Sequence, residues 1–148
     1  MRQRPRCSSY AVRAVESRVA SPALLTGKTE LSDRELTYFT DVDHVRHEAV
    51  AAIDRGNGSI VGVARYVRWP ERAGAADVAI EVADDLQGNG IGLMLAETLI
   101  RRAGENGINV LTATTLWENR AARVLARRVG FRARASTGSD IDLELQLA

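Results

Sequence analysis

Between Asp77 and Val82 apolar and polar positions alternate strictly. Val78, Ile80 and Val82 fall on one side, Asp77, Ala79 and Glu81 on the other. A period of two is that of a half-buried strand, so residues 76–82 are predicted to be one. The period then changes. Ile91, Leu95 and Leu99 recur every fourth residue, with Met94, Ile100 and Ala103 widening the stripe, which predicts an amphipathic helix over 91–106. Glu97 and Arg101 are spaced to pair on its outer face. A second helix is predicted over 119–129, with Arg120, Arg123 and Arg127 on one side, Ala121, Ala122, Leu125 and Val129 on the other, and Gly130 as its stop. Runs of strand character cover 48–54, 59–69 and 110–116. Arg55-Gly56-Asn57-Gly58 joins the first two as a hairpin turn, and a loop is expected over 70–74. Two last strands, 131–135 and 141–147, meet at Gly138-Ser139-Asp140. Upstream, Ser32 and Glu35 have capping-box spacing, and Leu31 and Leu36 have staple spacing, predicting a short helix over 33–40. Residues 1–30 carry the weakest pattern. Ala11, Val12, Val15 and Val19 hint at a helix ended by Ser21-Pro22, and 10–15 would also serve as a strand.

The order is helix, three strands, helix, strand, helix, two strands. That order predicts an α/β fold: a mixed, mostly antiparallel sheet flanked by helices. The strands at 76–82 and 110–116, joined by a helix, should be parallel. Residues 31–148 are expected to form one domain behind a poorly defined segment, 1–30. A chain of 148 residues suits a single core.

Composition narrows the function classes. A formal net charge of +1 argues against a nucleic-acid partner held by bulk charge. No apolar run reaches the roughly 18 residues of a membrane span, no signal-peptide core follows the basic start, and a cytoplasmic location is the default expectation. Cys7 is the single cysteine, which leaves no disulfide framework and no cysteine-based zinc site. Asp41, Asp43, His44 and His47 lie close together, yet their spacing matches no metal motif, and no metal is expected.

Between the strand at 76–82 and the helix at 91–106 lies Gln87-Gly88-Asn89-Gly90-Ile91-Gly92. Glycines between a strand and a helix let a backbone approach phosphate closely, and the first helical N–H groups have no partner within the helix. A P-loop would need Lys-Ser/Thr after the glycines; Ile91 and Leu93 occupy that region instead. A dinucleotide fingerprint would follow the first strand of a βαβ series, whereas this strand ends a meander. The Gln-x-x-Gly-x-Gly pattern resembles the acetyl-CoA pyrophosphate loop of the GNAT family of N-acetyltransferases. Asn119 opening a helix that ends at Gly130-Phe131 is similar to a second family segment. The stretch from Leu36 to Ala52, with Tyr38-Phe39-Thr40-Asp41-Val42-Asp43-His44, resembles the acetyltransferase domain of bacterial protein-lysine acetyltransferases.

The resemblance implies acetyl transfer from acetyl-CoA, as co-substrate, to a primary amine such as a protein lysine. A small-molecule amine is the alternative within the same chemistry, and a non-catalytic acetyl-CoA-binding module the alternative outside it. By the same resemblance, backbone N–H groups of Gln87, Gly88, Asn89, Gly90, Ile91 and Gly92 would hold the pyrophosphate. Val82 would offer its backbone to the pantetheine and the thioester carbonyl, and Asn119 would contact the cofactor near the thiol. Chemistry asks for a base as well. A lysine ammonium must lose a proton before it attacks, at a cost of about 4–5 kcal/mol at pH 7. Asp77 and Glu81, on one face of the strand before the loop, are the candidates. Many family members carry a tyrosine general acid in the last helix. Ala126 stands at that position here.

Overall fold

The computed structural model describes residues 10–14, 43–83, 86, 88 and 90–147. The helix expected over 33–40 lies outside them. Among the described residues seven strands form one sheet in the order β1-β2-β3-β4-β5-β7-β6. They are β1 (Tyr10–Ala14), β2 (His47–Asp54), β3 (Ile60–Trp69), β4 (Arg72–Val82), β5 (Val110–Leu116), β6 (Arg132–Thr137) and β7 (Asp140–Gln146). The helices among the described residues are α1 (Ile91–Glu105), between β4 and β5, and α2 (Arg120–Val129), between β5 and β6. Only the β4–β5 pairing is parallel; the other five are antiparallel. The fold class is the one the pattern predicts.

Both helices lie on one face of the sheet. Val50, Ala64, Tyr66, Ala76, Leu111, Ile141 and Leu143 point to that face and meet Ile91, Leu95, Leu99 and Ala103 of α1 in the main core. Ala126 and Val129 of α2 pack against it, although no residue of α2 is fully buried. A smaller apolar cluster, Ala49 and Ala51 with Ile60 and Val63, sits on the opposite face.

Several boundaries differ from the sequence expectation. β4 starts at Arg72 and pairs Trp69 with Arg72, so the expected loop over 70–74 contracts to a tight turn. The first residues of β4 are small or charged and mostly exposed, so they carry no apolar period. Residues 10–14 form β1, paired along β2 from Tyr10↔Asp54 to Ala14↔Val50. Arg101 bonds Glu105 at 2.9 Å rather than the expected Glu97. Exposed pairs of this kind are worth little, so nothing strong selects between the two acids.

The lower end of the sheet is held by polar contacts. Arg68 donates to the carbonyls of Val45, Ala73 and Asn106, each at 2.5 Å, and so joins the entry to β2, the start of β4 and the C-terminal end of α1. Glu48 is buried; it accepts from His44 Nδ1 at 2.8 Å, from Arg102 Nη2 at 3.4 Å and from the Ala49 amide at 3.1 Å. Asp43 accepts from the amides of Val45, Arg46 and His47 at 2.7–3.0 Å. These residues of the Asp/His segment thus close a turn. Backbone N–H groups, that of His47 foremost, lower the Asp43 carboxyl from 3.8 to about 2. A carboxyl lowered by folding adds stability above its unfolded value and loses it as pH falls through its folded value. The melting-temperature deficit of Asp43→Ala should therefore be full above pH 3.8 and shrink as pH falls towards about 2.

Candidate functional site

The parallel ladder between β4 and β5 is short. It runs Ala75↔Val110, Ala76↔Leu111, Asp77↔Thr112, and stops. Beyond that row β4 continues beside β3 to Gly62↔Val82, while β5 continues beside β7 to Leu116↔Asp140. The two strands therefore part, and a wedge opens between them above Asp77 and Thr112. The other pairings of the described strands carry at most local register shifts. A sheet that opens at the carboxyl ends of adjacent parallel strands offers a crevice for a ligand.

The N-terminus of α1 sits at the mouth of the wedge. Gly90 is its N-cap, at φ 83, ψ 3, a left-handed conformation that glycine adopts without strain. Gly88 has φ 82. Met94 N–H donates to the Gly90 carbonyl at 3.1 Å as the first intrahelical bond, so the amides of Ile91, Gly92 and Leu93 precede the helical ladder. Among the described residues no side chain caps the helix, and its first turn holds no acidic residue. A carboxylate there would compete with an anion for those amides. Their number, with the positive end of the helix dipole, suits a phosphate or pyrophosphate.

Two close approaches bring the helix to this place. A Cβ on Gly62 of β3 would lie 2.9 Å from Leu95 Cδ1 and 3.1 Å from the Glu81 carbonyl, so only glycine lets α1 pack so tightly on β3 and β4. A Cβ on Gly92 would lie 3.2 Å from Leu125 Cδ2 and 3.8 Å from Val82 Cγ2. The end of β4, the first turn of α1 and the middle of α2 thus converge on Gly92, beside the wedge.

Of the residues singled out from sequence, Val82, Gly90, Ile91 and Gly92 meet at this mouth, with Gly88 on the loop before it. Gln87 and Asn89 lie outside the described residues. Asn119 caps α2: its Oδ1 accepts from the Ala122 amide at 3.0 Å. The side-chain amide nitrogen of Asn119 has no partner among the described residues. Loss of this cap should cost about 0.5–2 kcal/mol, so Asn119→Ala should lower the melting temperature, whereas Asn119→Ser, another good cap, should restore most of it. Asn119→Ser still failing to bind acetyl-CoA normally would separate a ligand contact from the cap.

Asp77 and Glu81 are exposed on the face opposite the helices. Four residues of strand separate them, about 13 Å. That exceeds the Debye length at physiological salt, so they act as separate charges. Asp77 accepts from the Thr112 hydroxyl across the last row of the ladder. Asp140, Asp142 and Glu144 of β7 share this face, since Leu116, Thr114 and Thr112 pair with them in register. Glu144 bonds Arg134 at 3.4 Å. Among the described residues Asp77, Glu81, Asp140 and Asp142 form no ion pair.

The Tyr66 hydroxyl lies away from the wedge. Tyr66 is fully buried, and its hydroxyl accepts from Asn106 Nδ2 at 2.8 Å. Asn106 caps the far end of α1, about 22 Å along a helix of 15 residues. Burial raises the Tyr66 hydroxyl above its ordinary 10.0. Tyr10 is a core residue of β1. Ala126 packs against the core with no group to give a proton.

Sequence reasoning missed two features here. Trp117, at the end of β5, is 59% exposed. The Arg123 guanidinium stacks on its ring at 4.5 Å, and its amide donates to the Ser139 carbonyl at 2.7 Å, which ties the rim of the wedge to the β6–β7 turn. Thr112 was legible only as one of several threonines, because its partner depends on the β4–β5 register. No helix among the described residues is long and apolar enough to cross a membrane.

Comparison with known proteins gives a match to the Acetyltransferase (GNAT) family over residues 17–131. The chain is 36% identical over 95 residues to acetyltransferase Pat of Mycolicibacterium smegmatis, an alignment covering 64% of this chain and 28% of that protein. It thus spans under a third of that relative's length. The GNAT domain of PAT from S. lividans superposes with a TM-score of 0.76 at 24% identity, over 92% of this chain and 89% of that one. The yncA protein of Salmonella typhimurium, solved with its cofactor acetyl-CoA, superposes with a TM-score of 0.73 at 20% identity, over 95% of each chain.

Proposed function

The chain belongs to the GNAT acetyltransferase family, and on that premise we propose that it moves an acetyl group from acetyl-CoA to a primary amine, a protein lysine ε-amine. The observation that carries this reading is the wedge between β4 and β5 with the uncapped N-terminus of α1 at its mouth. In this reading the amides from Gln87 to Gly92 hold the pyrophosphate. The pantetheine runs into the wedge along β4, and the Val82 backbone receives the thioester carbonyl, where a donor is worth most as charge develops on oxygen. Asn119 meets the cofactor near sulfur with its side-chain amide. This chemistry asks for no metal.

The reaction is direct attack. The ammonium gives one proton to a carboxylate on β4, Asp77 or Glu81. The nitrogen lone pair forms the C–N bond at the thioester carbon, and the C–S electrons leave with sulfur. The second proton that nitrogen sheds in becoming an amide goes to the departing thiolate, directly or through water. A free thiol has a pKa near 8.5, so the thiolate is a fair leaving group without a tyrosine acid. This fits Ala126, and it places the weight of catalysis on the base.

The carboxylates of the face opposite the helices, a face that Arg65 of β3 shares in register with Ala79, support a cationic acceptor. Asp77, Glu81, Asp140 and Asp142 stand on it without an ion-pair partner among the described residues, and like-signed charge around a cleft raises the local concentration of the opposite charge. A panel of lysine peptides and small amines, each with acetyl-CoA, tests the acceptor. The reading expects peptides to be acetylated with a KM that rises with salt. Turnover of small amines with none of peptides would favour a small-molecule enzyme. Tight acetyl-CoA binding without turnover of any amine would favour a binding module.

A further inference from the structure

We infer that Thr112 is a positioning residue for Asp77, and that this hydroxyl makes Asp77, rather than Glu81, the carboxylate that takes the proton of the acceptor amine. The inference rests on the reading above, in which a carboxylate on β4 acts as base.

Three observations lead to it. First, Asp77 and Thr112 are the last paired row before β4 and β5 part. Whatever enters the wedge from the open face meets this row at its base. Second, the Thr112 hydroxyl donates to Asp77 Oδ1, and it also lies 3.4 Å from the Ala76 carbonyl. Threonine is β-branched and stiff at χ1, and aspartate has a single methylene, so one hydrogen bond fixes the carboxylate of an otherwise exposed side chain. It occupies Oδ1 and leaves Oδ2 to receive a proton. Third, Glu81 has no such partner among the described residues. Its row neighbour is Val63 of β3, no β5 residue pairs beside it, and its longer side chain is solvated. A general base contributes most when it is held in place before the substrate arrives.

The same strand supplies an internal control. Thr114 donates to Asp142 Oδ1 at 3.0 Å, the same contact two residues on, but between β5 and β7, where the ladder is continuous. If such contacts only knit the sheet, Thr112 and Thr114 should be equivalent.

The test measures kcat and both KM values for Thr112→Val, Thr112→Ser and Thr114→Val, and for Thr112→Val combined with Asp77→Asn. Acetyl-CoA affinity and melting temperature are recorded for each. Thr112→Val should lower kcat with the amine about tenfold, the size expected for one hydrogen bond to a charged group, while the KM for acetyl-CoA stays put. Thr112→Ser should recover most of the loss, Thr114→Val should leave kcat within about twofold, and Thr112→Val should add nothing to Asp77→Asn, because residues acting as one unit are not additive. Equal losses in Thr112→Val and Thr114→Val, or a Thr112→Val loss that adds in full to that of Asp77→Asn, would overturn the positioning role. So would an unimpaired Thr112→Val beside a crippled Asp77→Asn, which leaves the base reading standing. A larger loss in Glu81→Gln than in Asp77→Asn would overturn the choice of base, and absent turnover in the unmodified protein would overturn the reading beneath both.

Discussion

Asp77→Asn should lower kcat/KM for the acceptor amine by about 10²–10⁴-fold, the usual worth of a positioned general base, while acetyl-CoA binds as before. The substitution keeps the size of the side chain and its ability to accept from Thr112, and removes only the capacity to take up a proton. The loss should be steepest near neutral pH, where a lysine acceptor is almost wholly protonated, and should narrow at higher pH as the amine deprotonates unaided. Initial rates across a pH series, at limiting amine and saturating acetyl-CoA, check this. A double substitution, Asp77→Asn with Glu81→Gln, that keeps the original rate at limiting amine would remove both carboxylates from the mechanism.

Gly90→Val should weaken acetyl-CoA binding by about 10²-fold. Gly90 caps α1 at φ 83. An L-residue in that region costs about 1–2 kcal/mol, and a β-branched one more. In the proposed reading, relief of that strain turns the loop amides away from the phosphates, and each charge-assisted hydrogen bond lost is worth about 1.5–3 kcal/mol. Calorimetric titration with acetyl-CoA measures the effect. Gly104→Ala is the matched control: it lies near the other end of α1 with nothing within 4 Å of a new Cβ. It should bind acetyl-CoA normally and gain about 0.5–1 kcal/mol of stability from the better helix former. Equal affinity in Gly90→Val and Gly104→Ala would separate the glycine loop from cofactor binding.

The elements that were legible in the sequence are those whose burial is periodic. α1 and the upper half of β4 each present an apolar stripe to the core; the helix starts where predicted and ends one residue earlier, and β4 ends where predicted. β6 is exposed at every position and carries no period, so its bounds are set by pairing with β7. The start of β4 was hidden for a similar reason. Gly130, in the left-handed region at φ 104, and Asn119 marked the ends of α2 because caps are chemically local. The site divides in the same way. The glycine loop is a continuous run of sequence and could be read directly. The wedge is a property of register, since nothing in residues 75–82 or 110–116 taken alone says that their ladder stops at Asp77↔Thr112. The Thr112–Asp77 bond and the approach of α1 to Gly62 depend on such long-range pairing.

The most direct test of the central claim is acceptor-dependent release of CoA thiol from acetyl-CoA by the unmodified protein, with a lysine peptide as acceptor and the product mass recorded. The account predicts saturable release that requires the peptide, matched one for one by acetylated lysine. Acetyl-CoA that binds tightly while release stays at the peptide-free rate would contradict it.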